Sequence, residues 1–143
     1  MADTVSPQIR SAMMRAVRNR NTGPEIVVRQ AAHRLGYRFR LHRADLPGTP
    51  DLVFPRLRIV FFVHGCFWHQ HRGCSRSGLP STRRRFWRAK LLGNIQRDAK
   101  AMKLLRKEGW RVHVIWECQT RDMQLLSSRL DRLLSRRRPI TVR

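Results

Sequence analysis

Apolar positions along this chain switch between two periods, and the switches mark out its elements. Val28, Ala31, Ala32 and Leu35 recur at the spacing of one helical face. Thr22-Gly23-Pro24-Glu25 precedes them, with Thr22 as N-cap, Pro24 in the first turn and Glu25 three residues after the cap. Gly36 follows, so a helix is predicted over 24–35. Tyr37 to Leu41 alternates and predicts a strand, and Leu46-Pro47-Gly48-Thr49-Pro50 predicts a turn. Two strands follow, 51–54 and 58–63, joined by a tight connection through Pro55 to Leu57. The second is apolar almost throughout and reads as a central strand covered on both faces. A polar segment, 72–82, leads into a long helix predicted from Thr82 to Lys107 and stopped by Gly109. Arg111 to Trp116 forms another strand that delivers Glu117 and Cys118, and Leu125, Leu126, Leu130, Leu133 and Leu134 mark a last helix over 122–135.

Helix, three strands, helix, strand, helix is the order of an α/β fold: a small single domain with a central mixed β-sheet flanked by helices. No internal repeat interrupts it. The expected domain is 22–135, with a basic N-terminal arm at 1–21 and a basic tail at 136–143. Asp51, His64 and Glu117 all stand at predicted strand ends, and they meet if the strand directions agree.

Composition narrows the class. A length of 143 residues with 41% hydrophobic content suits one domain with one core. The longest apolar run, Ile59 to Val63, is strand-sized, so no membrane span is predicted. Thirty-one Lys and Arg against nine Asp and Glu give a formal charge of +22. A compact domain with that balance repels itself unless a polyanion neutralises it. Arginine far outnumbers lysine, which favours bidentate phosphate contacts and makes nucleic acid the expected partner. Trp110, Trp116 and His113 read as core or structural residues, and the protein as a monomer.

The three cysteines change the picture further. Cys66, His71 and Cys74 form a C-x4-H-x2-C cluster, and Cys118 stands 44 residues beyond it. Three thiolates and one imidazole make a closed tetrahedral set for Zn2+, with no position left for substrate, so the site is structural. His69, two residues before His71, is an alternative fourth ligand. An odd cysteine count, no C-x-x-C and no signal peptide argue against disulfides and for a reducing compartment. Catalysis must be sought beside the cluster, where Val63-His64-Gly65-Cys66-Phe67-Trp68-His69 packs two more histidines and two large aromatics.

Pro50-Asp51 opening a strand, with the next strand ending in Val63-His64, resembles the active-site hairpin of restriction-endonuclease-like nucleases of the PD-(D/E)xK type. More specifically, the chain resembles the very short patch repair (Vsr) endonucleases over roughly residues 8–135. The carriers are Arg10-Ser11, Met14-Arg15-Ala16, Leu46-Pro47-Gly48-x-Pro50-Asp51, His64-Gly65-Cys66-Phe67-Trp68-His69, Phe86-Trp87, Asn94 with Arg97-Asp98, Gly109-Trp110-Arg111-Val112 and Trp116-Glu117-Cys118. It departs in one extra residue between His71 and Cys74, in a more basic 81–88 segment, and in stopping soon after the last helix. These differences bear on flanking-sequence preference.

The resemblance implies a Mg2+-dependent endonuclease that nicks one strand of duplex DNA at a T:G mismatch, in the bacterial cytoplasm and alongside mismatch-repair proteins. Asp51 would bind Mg2+ with the main-chain carbonyl of Val63, and His69 would be the general base. His64 and Glu25 would support the waters around the metal and the leaving group. Asn94 and Asp98, with Lys90, recur every four residues, share a helix face, and would reach the same hydrated cluster. Phe67, Trp68 and Trp87 would wedge between base pairs beside the mismatch, where unstacking is least costly. Lys90, Met14 and Arg15 complete the expected DNA contacts. The competing readings are a relative on the same fold with another lesion, mispair or sequence specificity, and a zinc-stabilised DNA-binding protein without activity.

Overall fold

The computed structural model describes residues 22–135; the arm with Met14 and Arg15, and the tail from Arg136, lie outside the described residues. Helix α1 spans Gly23–Arg34, capped as its sequence requires: the Thr22 hydroxyl accepts from the Glu25 N–H at 3.3 Å. Strands β1 (Arg40–Leu41), β2 (Leu52–Phe54), β3 (Ile59–His64) and β4 (Arg111–Trp116) form one sheet in the order β1-β2-β3-β4. β1–β2 and β2–β3 pair antiparallel, whereas β3 and β4 are parallel. The crossover that parallel pairing demands is helix α2, Arg84–Lys107. Helix α3, Met123–Ser135, ends the described chain.

Alternate residues of β3 serve opposite faces of the sheet. Ile59 and Phe61 pack with Val28, Ala31 and Ala32 of α1 and with Leu126, Leu130 and Leu134 of α3. Val60 and Phe62 pack with Leu105 of α2, Trp110 and Val112. The result is three layers, with α1 and α3 on one side of the sheet and α2 on the other. The central-strand expectation for β3 holds, since Ile59 to Phe62 are all buried.

Two elements differ from their sequence pattern. Only Arg40 and Leu41 of the expected strand 37–41 are paired, opposite Val53 and Leu52. The same register would set Arg38 against Pro55, which has no N–H to offer and opens a 3-10 turn instead. Tyr37 and Phe39 still pack on the core. Helix α2 starts at Arg84 rather than Thr82, because Arg83 adopts a left-handed conformation (φ +53°) and serves as its cap residue.

Strand direction decides where the chemistry gathers. Parallel pairing sets His64 beside Trp116 at the carboxyl ends of β3 and β4. Strand β2 runs the other way, so Asp51, just before it, reaches the same edge and donates its N–H to Phe61 O at 3.0 Å. Gly48 makes the approach possible: it has φ +73°, and a Cβ there would lie 2.7 Å from Ala101 Cβ and 3.2 Å from the Phe62 ring.

Candidate active site and thiol cluster

Asp51 accepts a 2.7 Å hydrogen bond from the Val63 N–H through Oδ2, which seats its carboxylate across the β2–β3 hairpin. Burial pushes this carboxyl from 3.8 up to about 7; the Val63 bond opposes the rise and the nearby Glu25 carboxyl adds to it. Glu25, in the first turn of α1, is 1% exposed. Its Oε2 is bound by the Arg29 guanidinium and stands 2.5 Å from His42 Nε2. One donor atom from each of Glu25, His42 and Asp51 lies within 4.8 Å of the others; with His42 Nε2 engaged by Glu25, the carboxylate oxygens are the donors suited to a hard cation. His42 escaped the sequence reading because it lies just past the alternating run 37–41 and in no motif.

A second group sits on the α2 side of the same edge. His69 Nδ1 and Asp98 Oδ2 are 2.6 Å apart, and the His69 ring stacks on His64 with centroids at 3.7 Å and planes within 7°. With Nδ1–H donated to Asp98, His69 presents Nε2 as a proton acceptor. His64 is 4% exposed; burial pushes its imidazole down to about 3, so it stays neutral. Near-parallel rings keep their lone pairs in separate planes, so one ion between His64 and His69 is poorly served. The geometry suits a base braced by a carboxylate, as in hydrolytic dyads.

Asn94 and Asp98 both face this site, but each has a direct task. Asp98 holds His69, and Asn94 donates Nδ2 to the Trp68 carbonyl at 2.9 Å while its oxygen accepts from Arg97. Lys90, a turn earlier, is exposed. Phe67, Trp68 and Trp87 form one aromatic cluster, with centroids 5.2 to 5.8 Å apart. Phe67 and Trp68 are half-buried, whereas Trp87 is 2% exposed and forms the floor beneath them. Gln70, which no pattern singled out, ties the loop with bonds from Nε2 to Phe67 O (2.7 Å) and Ser77 O (3.1 Å).

The thiol cluster closes the loop. Cys66, His71, Cys74 and Cys118 each direct a donor atom to one point. His71, not His69, is the imidazole of this set: its Nδ1 lies 3.7 Å from Cys66 Sγ and 3.5 Å from Cys118 Sγ. Metal–ligand bonds of about 2.3 Å to sulfur and 2.1 Å to nitrogen give a tetrahedron edge of roughly 3.6 Å, so the spacing fits a four-coordinate ion of the size of Zn2+. The Cys118 N–H also points at Cys66 Sγ from 3.4 Å, which stabilises a thiolate. Burial pushes the Cys66 thiol up to about 12, so a cation rather than pH must drive off its proton. Glu117 comes to the strand-end edge as expected, yet its carboxylate serves this loop, accepting from Cys66 N–H at 3.3 Å and facing Arg76 at 3.5 Å. Trp116, expected in the core, instead stands partly buried between the two centres, stacked on His71 at 4.1 Å and edge-on to His64 at 5.3 Å.

A family model described as DNA mismatch endonuclease Vsr matches residues 2–76, which carry Glu25, Asp51, His64, His69 and three of the four thiol-cluster residues. The chain belongs to the Vsr family. Such membership implies the restriction-endonuclease-like fold, and the four-stranded mixed sheet agrees with it. Among similar Vsr-type proteins, the Type II nicking enzyme V.XorIIP of Xanthomonas oryzae pv. oryzae is 51% identical over 134 residues, 94% of this chain and 98% of that one. The DNA mismatch endonuclease Vsr of Escherichia coli is 40% identical over 127 residues, 89% and 81% of the two chains. The Type II nicking enzyme V.NmeAIP of Neisseria meningitidis is 34% identical over 134 residues, 94% and 95% of the two. This Vsr chain is a DNA endonuclease, and among its described residues no helix is long and apolar enough to cross a membrane.

Proposed function

We propose that the protein nicks one strand of duplex DNA at a T:G mismatch by Mg2+-assisted hydrolysis of a phosphodiester. The observation that carries this reading is the His69–Asp98 pair, set beside the Asp51–Glu25 carboxyl pair at one edge of the sheet. Asp51 and the main-chain carbonyl of Val63 would hold the cation. When bound, it supplies charge neutralisation at the scissile phosphate. His69 takes the proton of the attacking water on Nε2, and Asp98 stabilises the imidazolium that results. Neutral His64 supports the face of His69 without adding a charge beside the phosphate. Glu25 holds and orients water next to Asp51. One firm carboxylate is too few to grip Mg2+ tightly, so the DNA phosphate completes the site.

Phe67 and Trp68 stand proud of the buried Trp87, on a loop held by Asn94, Gln70 and the thiol cluster. That rigid pair is suited to enter an unstacked base step, and a mispaired step yields most readily. Zn2+ fills the thiol cluster in this reading and keeps the loop shaped. The relative at 51% identity bears a nicking-enzyme name, and a strand-nicking activity in a different flanking sequence is the second reading it favours.

Asp98→Asn tests the base assignment. Its nicking rate is expected to fall by roughly 10² to 10⁴ with DNA affinity retained, since a positioned general base contributes about that much. Wild-type rates in Asp98→Asn would remove the Asp98-braced base from the mechanism.

A further inference from the structure

Glu25 and Asp51 come from different layers of the fold, the first turn of α1 and the start of β2, and something must hold them at one point. Arg29 binds Glu25 Oε2 from the same helix, four residues on, so it sets the side-chain rotamer but not the helix-to-sheet distance. His42 does bridge the layers. Its main-chain N–H donates to the Asp51 carbonyl at 3.2 Å, extending the β1–β2 ladder by one rung, and its Nε2 stands 2.5 Å from Glu25 Oε2. A left-handed backbone (φ +46°) ends the strand at this residue. Histidine tolerates that region better than most side chains. The two side chains are only 12% and 2% exposed, so the contact is shielded from competing water.

We propose that His42 is a positioning residue, which holds the Glu25 carboxylate at the Asp51 cation position by anchoring the start of α1 to the β2 edge. The inference rests on the metal-dependent reading above and adds to it the group that keeps the second carboxyl in place. Without His42, Glu25 keeps its bond to Arg29 and its contact with Asp51 but loses the link from its carboxylate to the end of β1. The cation at Asp51 then lacks a well-placed Glu25 carboxylate to hold its water. His42 acts through Glu25 and touches neither substrate nor scissile phosphate.

The test is Mn2+ uptake by the protein bound to its nicked product duplex, read from the loss of the free-ion EPR signal over DNA alone, so that no turnover is needed. His42→Ala is expected to weaken Mn2+ binding about tenfold or more, the usual effect of removing an outer-sphere support. His42→Gln, whose amide can still donate to Glu25, is expected to recover most of it. In a Glu25→Gln background, His42→Ala is expected to add nothing further. A thermal melt and the zinc content of each variant guard against a folding defect. Wild-type Mn2+ affinity in His42→Ala, or additive effects of the two substitutions, would overturn the proposal while leaving the endonuclease reading intact. A wild-type complex that takes up no Mn2+ would overturn both.

Discussion

The residues of this site work against the stability of the fold that holds them. Asp51 is an acid held where its proton is hard to lose: its carboxyl ordinarily ionises near 3.8 and here is raised to about 7. The folded state therefore binds more protons than the unfolded state between about pH 4 and 7, and stability falls as pH rises through that window. Asp51→Asn keeps an acceptor for the Val63 N–H but carries no charge. It is expected to raise unfolding free energy by roughly 1–4 kcal/mol at pH 8 without added Mg2+, with no gain at pH 4. Urea unfolding at the two pH values checks this, and an equal effect at both would reject the ionisation account. At this scale the sequence was informative where a residue sat in a motif, as for Asp51, His64 and His69. It was silent on His42 and Gln70, whose partners lie across the fold or across a loop with no periodic signal.

Elements were legible where local pattern and tertiary packing agree. Helix α1 follows its cap and apolar face, and β3 follows its unbroken apolar run. Agreement fails where a neighbour decides the outcome. The strand at 37–41 shrinks to Arg40–Leu41 because β2 is short and bounded by Pro50 and Pro55. The segment 46–50 was readable as a turn, but not its approach to α2 through Gly48. Gly48→Ala combines a left-handed backbone with a Cβ only 2.7 Å from Ala101 Cβ, and is expected to cost about 2–4 kcal/mol and to misplace Asp51. A melting temperature within a degree of wild type would show that the turn can yield. The loop from Gly65 to Ser77 depends on its thiol cluster in the same way. Trp116 stacks on His71 of that cluster and meets His64 edge-on, and His64 stacks on His69, so ring contacts join the thiol cluster to the proposed base. With Zn2+ in the cluster as proposed, Cys66→Ala is expected to lose the ion and nearly all nicking while the α1–α3 core still melts cooperatively. Full activity with zinc absent would separate the cluster from the chemistry.

At the scale of the whole molecule, strand direction does what no motif could. Parallel β3–β4 pairing and antiparallel β2–β3 pairing bring Asp51, His64 and the thiol cluster to one edge, from segments spread between Glu25 and Cys118. The sequence listed those residues but could not orient them. The charge of +22 then supplies attraction to any duplex, regardless of sequence. Selectivity must come from the edge itself, where the Phe67–Trp68 pair stands next to His69, the proposed base, on one loop. The most direct measurement is a strand-resolved nicking assay with Mg2+ on two labelled duplexes, one with a central T:G mispair and one with C:G in its place. A single nick beside the mispaired thymine and an intact control are expected. Equal nicking of both duplexes, or of neither with binding retained, would contradict the proposed mismatch nicking.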